Sequence, residues 1–221
     1  MTDFKGIWAV VPVKDLDGAK QRLASALDQA KRTALYRCML QGVLDALCGS
    51  RALGGVLVVT RDPWAIDQAR DRAAIVLEEP ENQGHTAAST LGAAYLARKG
   101  ASGMLQVPGD LPLLASADID ALLAQHGGAP AVTIAPSRDE LGSNALACSP
   151  ADLLPLRFGD DSYFPHLARA RELGVEPRVI RRDGFALDVD TPQDLSVLLA
   201  RPERTPTHEF LESIGYQGGA I

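Results

Sequence analysis

The sequence predicts an α/β fold, with a mostly parallel central sheet and helices on both faces. Three observations point there. The strand-like runs at residues 7–13 and 56–60 are continuously apolar, as strands covered on both faces are. Helical patterns alternate with such runs as far as about residue 135. Turn-forming residues fall where the strands end, most clearly at Pro108-Gly109-Asp110.

Residues 7–13 form the first strand, and the segment from Lys14 to Arg22 follows as a polar loop carrying Lys14, Lys20 and Arg22. From about Asp28 the apolar positions Leu35, Met39, Val43 and Leu47 recur at helical spacing, until Gly49-Ser50 ends the run. Residues 56–60 make the second strand. Asp62 caps a short helix that Pro63 opens. Residues 74–77 make the third strand, and 78–85 an acidic loop broken by Pro and Gly. An Ala-rich helix at 86–98 stops before Gly100. A strand at 104–107, a helix at about 116–125 and a fifth strand at 131–135 complete the regular part.

The remainder reads as a small irregular β insertion followed by helix. It comprises a loop at 136–143, a short strand at 144–148, a helical turn at 151–156 and a helix at about 163–173. Short strands at 179–181 and 186–189 then precede a helix at 191–199. Residues 1–200 read as a single domain. Residues 201–221 read as a loosely held tail with one helical turn around 210–214, near two prolines and Gly218-Gly219.

Composition narrows the function. A net charge of −6 and a pI near 5.2 argue against a nucleic-acid partner, which needs a basic surface. The three cysteines, Cys38, Cys48 and Cys148, lack CxxC spacing and read as free thiols. The first residues do not read as a signal peptide, and no apolar run is long enough to cross a membrane. A cytoplasmic protein without a membrane partner is expected. The helical faces and the tail could support a homodimer.

Asp110 stands just past the carboxyl end of a buried strand, where open α/β sheets bind ligands. It could cap a turn or helix, or hold a nucleotide-bound metal ion. Asp188-Val189-Asp190 is a second carboxylate stretch. On a strand, residues i and i+2 share a face, so the two carboxylates would project together and a divalent cation would relieve their repulsion. Thr191-Pro192-Gln193-Asp194 supplies its own helix start, which leaves Asp190 free for a ligand role. The Lys14/Lys20/Arg22 loop lacks a glycine cradle, so a phosphate there would be gripped by side chains; a solvated basic loop is the other reading. Gly142-Ser143-Asn144 and Gly159-Asp160-Asp161-Ser162 offer hydroxyls and backbone N–H groups for an anion, although Ser162 could equally cap the helix after it. His166 lies one helical turn beyond Ser162.

Five stretches occur in order: Val11-Pro12-Val13-Lys14 with Lys20-x-Arg22, Gly109-Asp110-Leu111-Pro112, Gly142-Ser143-Asn144-Ala145-Leu146, Phe158-Gly159-x-x-Ser162, and Leu187-Asp188-Val189-Asp190-Thr191-Pro192. Over residues 7–199 the chain thereby resembles the guanylyltransferases of deazaflavin coenzyme F-420 biosynthesis. Those enzymes act on 2-phospho-L-lactate, phosphoenolpyruvate or 3-phospho-D-glycerate.

The resemblance implies a Rossmann-like nucleotidyltransferase fold and transfer of GMP from GTP to a small phosphorylated acid. It implies Mg2+ on Asp110, Asp188 and Asp190. It implies nucleotide contacts from Val11, Pro12, Lys14, Lys20, Pro80, Gly84, Thr86 and Gly109, with Lys14, Lys20 and Arg22 on the phosphates and catalysis resting on these three and Asp110. The acid would be held by Ser143, Asn144, Gly159 and Ser162. Two stretches depart from the family pattern: Gly84-His85-Thr86 replaces a G-L-N-like turn, and Arg138-Asp139-Glu140-Leu141 replaces a glycine-rich loop. A molybdenum-cofactor or sugar-phosphate nucleotidyltransferase, or a catalytically silent nucleotide-binding protein, are the alternatives.

Overall fold

The computed structural model describes residues 3–16, 18–81, 83–159 and 161–218. Asp160 and Gly219, named above, and Asp17 of the Lys14–Arg22 loop lie outside the described residues. Seven strands form one sheet in the order β3-β2-β1-β4-β6-β5-β7. They are β1 (Ile7–Pro12), β2 (Leu53–Val59), β3 (Ile75–Leu77), β4 (Gly103–Gln106), β5 (Ala131–Pro136), β6 (Ser143–Ser149) and β7 (Arg178–Val179). β1 pairs in parallel with β2 and β4, β2 with β3, and β5 with β7. β6 runs antiparallel to both β4 and β5. The sheet is therefore mostly parallel, as its apolar strands predict.

Side chains of β1 alternate between two cores. Ala9 and Val11 face the helix α1 (Gln29–Cys48) side, whereas Trp8 and Val10 face the α3 (His85–Lys99) side. Gly92 lets α3 approach closely, because a Cβ there would stand 2.6 Å from Val10 Cγ1. The expected caps form locally: Asp28 Oδ1 accepts from Lys31 N–H, and Asp62 Oδ1 caps α2 (Pro63–Asp71) through Ala65 N–H. α4 (Ser116–Gln125) and α5 (Tyr163–Glu172) lie where their periodicity puts them.

Three expectations need correction. Residues 151–156 make turns and bends and no helix. Residues 186–189 are not a strand: α6 (Asp183–Ala186) ends there, and the chain continues extended but outside any ladder. Val189 N–H donates to Asp110 O at 3.2 Å, which ties the segment to the turn after β4 by a single backbone bond. The tail is not loosely held, because α8 (Pro206–Ser213) buries Leu211 and His208 completely. Leu211 joins Leu35, Met39, Val189 and residues of α7 (Pro192–Leu199) in a third core, so the tail helix helps to hold the Asp188–Asp190 segment. Among the described residues no helix is long and apolar enough to cross a membrane.

Candidate active site

β1 sits between β2 and β4, so the strand order reverses at the β1–β4 crevice, and ligands of such sheets bind outside the carboxyl ends there. A cleft of about 760 Å³ opens at that place. Eleven residues expected at the site line it: Lys14, Arg22, Gly84, Thr86, Asp110, Ser143, Asn144, Gly159, Ser162, Asp188 and Asp190. Lys20 does not line it but bonds to two residues that do, Asp110 and Asp190.

The Lys20 side chain is 5% exposed, and its ammonium donates to Asp110 Oδ2 at 2.5 Å and Asp190 Oδ1 at 2.7 Å. Lys20 takes a left-handed backbone conformation, φ 57°, at the entry to a short 3-10 turn. Burial alone would lower its pKa, but the charges and hydrogen bonds of Asp110 and Asp190 override that and raise it. Lys20 is thus committed to two carboxylates.

Asp188 lies across the site. Asn144 Nδ2 donates to Asp188 Oδ1 at 3.0 Å and to Phe185 O at 2.8 Å. One amide bond of Asn144 thus goes to Asp188 and the other to the backbone beside it. Burial, then the neighbouring Asp110 charge, raises the Asp188 pKa. Asp110 Oδ1 is buried without a hydrogen-bond partner. Among the described residues no group of three acidic, His or Cys side chains is gathered tightly enough to hold a metal ion as it stands. The donor set nevertheless fits magnesium in charge and kind. Three carboxylates and one ammonium leave two negative charges on hard oxygen atoms, with one oxygen orphaned.

Val11, Pro12, Pro80 and Gly109 do not line the cleft. Val11 is fully buried in the core behind it. Gly109 is small because α1 passes close: a Cβ would stand 2.9 Å from both Leu40 Cδ1 and the Tyr36 hydroxyl. A small residue there lets the turn that carries Asp110 lie against α1.

Thr86 does line the cleft, but its Oγ1 accepts from Phe158 N–H at 2.9 Å and donates to Phe158 O at 3.3 Å. It pins the loop that carries Gly159. Ser162 stands at the start of α5 without making a side-chain cap; its Oγ accepts from Ser143 N–H at 2.9 Å. In the loop expected to be glycine-rich, Ser137 and Asp139 shape the turn. Gly142 N–H donates to Ser137 Oγ at 2.8 Å, and Leu141 N–H to Asp139 Oδ1 at 3.0 Å.

Sequence reasoning passed over His85 and Gln106. Gln106, fully buried on β4, has its side-chain amide 2.9 Å from His85 Nε2, and its Oε1 is buried without a hydrogen-bond partner. Burial, with Lys14 adding to it against Asp110, lowers the His85 pKa to about 4. His85 also meets Phe158 edge-on at 4.8 Å. The departure at Gly84-His85-Thr86 was the available signal, but its partner on β4 lies 21 positions away in sequence.

The family described as "Guanylyl transferase CofC like" matches residues 7–219. A phosphoenolpyruvate guanylyltransferase of Rubrobacter xylanophilus is 42% identical, over 88% of this chain and 94% of that protein. A 2-phospho-L-lactate guanylyltransferase of Methanothermobacter thermautotrophicus is 32% identical, over 94% and 91%. The solved structure of a nucleotidyl transferase from the same organism superposes with a TM-score of 0.63 at 18% identity, covering 94% of this chain and 99% of that one, and supports the Rossmann-like nucleotidyltransferase fold. The chain belongs to the CofC-like guanylyl transferase family.

Proposed function

We propose that this protein transfers GMP from GTP to the phosphate of a small phosphorylated three-carbon acid and releases pyrophosphate, as a step in deazaflavin coenzyme synthesis. The acid is phosphoenolpyruvate, 2-phospho-L-lactate or 3-phospho-D-glycerate, and the 42% identity to a phosphoenolpyruvate guanylyltransferase puts the first of these ahead. One observation carries the reading. Asp110, Asp188 and Asp190 line a single cleft with Lys14, Arg22 and the Ser143/Ser162 pair, at the carboxyl ends of β1 and β4.

A phosphate oxygen of the acid attacks the α-phosphorus of GTP. The new P–O bond forms as the bond to the β-phosphate oxygen breaks, and pyrophosphate leaves. The attacking phosphate is already ionised, so no general base is needed. Lys14 and Arg22, which face the cleft, stabilise the departing pyrophosphate. The N-terminus of α3 starts at the cleft without a side-chain cap and favours negative charge there. Magnesium, held by Asp110, Asp188 and Asp190, supplies charge neutralisation when bound. Lys20 keeps two of those carboxylates in place.

The test is a product assay with labelled GTP, each of the three acids, and ATP as competing nucleotide. Pyrophosphate release with one acid, dependent on magnesium and preferring GTP, is expected. No release with any acid would sink the enzymatic reading. An Asp188→Asn protein with unchanged rate and unchanged magnesium dependence would remove the metal assignment.

A further inference from the structure

His166 is 1% exposed on α5 and takes no part in the chemistry above. Its two ring nitrogens have different partners. Arg157 N–H donates to His166 Nε2 at 3.2 Å, and His166 Nδ1 stands 3.0 Å from Ser143 Oγ. A backbone N–H can only donate, so Nε2 is the acceptor. In the neutral ring the proton is then on Nδ1, and the ring donates to Ser143 Oγ.

That assignment determines how Ser143 can act. Its oxygen already accepts from His166, so the hydroxyl hydrogen is left for a ligand in the cleft that Ser143 lines. Ser162 is arranged in the same way. Its Oγ accepts from Ser143 N–H, and its own hydrogen is likewise left for the cleft. Each of these adjacent hydroxyls already accepts one bond from behind, which leaves its hydrogen to donate into the cleft. Phe158 packs edge-on to His166 at 5.1 Å.

We propose that His166 is a positioning residue: by donating from Nδ1 to Ser143 Oγ it keeps the Ser143 hydroxyl hydrogen free to bind an anionic group of the acid substrate beside Ser162. The proposal rests on the guanylyltransferase reading above, because it assumes that the acid lies against Ser143. It predicts that Ser143 donates to a carboxylate or phosphate oxygen of the acid.

Steady-state kinetics on full-length His166→Leu and His166→Asn proteins test it. Asparagine places an N–H close to the position of Nδ1 and should keep Ser143 oriented; leucine cannot. For His166→Leu, KM for the acid should rise about tenfold, the equivalent of one hydrogen bond of about 1.4 kcal/mol. KM for GTP should change by less than about twofold, and His166→Asn should recover most of the loss, since only the donor is being tested. Equal effects of the two substitutions, or equal changes in both KM values, would overturn the proposal.

The parent protein gives a second readout that does not depend on turnover or on a variant folding. Ring 15N shifts of His166 should show an Nδ1-protonated tautomer, and an Nε2-protonated ring would overturn the proposal. If no acid supports pyrophosphate release while the ring is Nδ1-protonated, the guanylyltransferase reading has failed and the orientation of Ser143 has not.

Discussion

Replacing Lys20 by methionine would leave the backbone and most of the side-chain volume intact while deleting the cation between Asp110 and Asp190. Removing one partner from a buried ion pair costs about 3–5 kcal/mol, because the remaining charge is left uncompensated. The lower end applies here. The Asp190 carboxylate is 44% exposed, so water compensates it in part, whereas the Asp110 side chain is only 18% exposed. A loss of about 3 kcal/mol near pH 7.5 is expected, or about 1 M in the urea midpoint for an m-value of about 3 kcal/mol/M.

The pH dependence identifies the cause. Lys20 holds the folded pKa of Asp190 below its unfolded value, although burial alone would raise it, so that contribution is present above the unfolded carboxylate pKa and disappears as pH falls through the folded one. The raised pKa of Lys20 makes its share fully present below its unfolded value of 10.5. The deficit of Lys20→Met should therefore be constant through neutral pH and shrink below about pH 4, where the carboxylates protonate. Urea unfolding of both proteins at pH 7.5 and pH 3.5 measures this. Equal midpoints at pH 7.5 would refute the reasoning. An undiminished deficit at pH 3.5 would assign the loss to the contact of the ammonium with the Tyr36 ring, 5.7 Å away.

Three further outcomes can be checked. Gly109→Ala drives a Cβ to 2.9 Å from Leu40 Cδ1 and the Tyr36 hydroxyl; a loss of about 1–2 kcal/mol in urea unfolding is expected from such overpacking, with a fall in pyrophosphate release because Asp110 is the next residue. Leu211→Ala on α8 removes a fully buried side chain and should cost about 3 kcal/mol, measured the same way; a silent substitution would return the tail to a loosely held segment. His85 and His166 both have folded pKa values lowered to about 4, chiefly by burial, from 6.5. Between those values the unfolded chain binds more protons, so stability should fall as pH drops from about 6.5 to about 4 and stay level above that window. His166→Asn should flatten the slope, as read from urea midpoints at pH 7, 6 and 5.

Features that depend on neighbours in sequence were legible without the structure. The apolar runs of β1 and β2, the caps Asp28 and Asp62, and the Thr191–Asp194 capping box all follow from contacts within a few residues. The place of Asp110 past the end of β4 was legible for the same reason. The Thr205-Pro206 opening of α8 repeats the Thr191-Pro192 signal of α7 and could have revealed the tail helix.

Pairings across the fold were decided by tertiary structure. The Asp188–Asp190 segment has strand-like alternation, yet among the described residues no strand pairs with it; Val189 N–H donates to Asp110 O. The two aspartates still reach one cleft, because an extended chain alternates sides with or without a ladder. Which groups Lys20, Thr86, Asn144 and His166 bind depends on residues 9 to 170 positions away, and a local pattern carries no information about them. The sequence by itself determined the parallel α/β sheet and the placing of carboxylates, cations and hydroxyls at its ligand-binding edge, since apolar periodicity and turn chemistry act over short range. Only the packed fold decided that Lys20 would be held by Asp110 and Asp190 and that Asn144 would serve Asp188, because a buried charge or amide takes the partner that the converging elements put within reach.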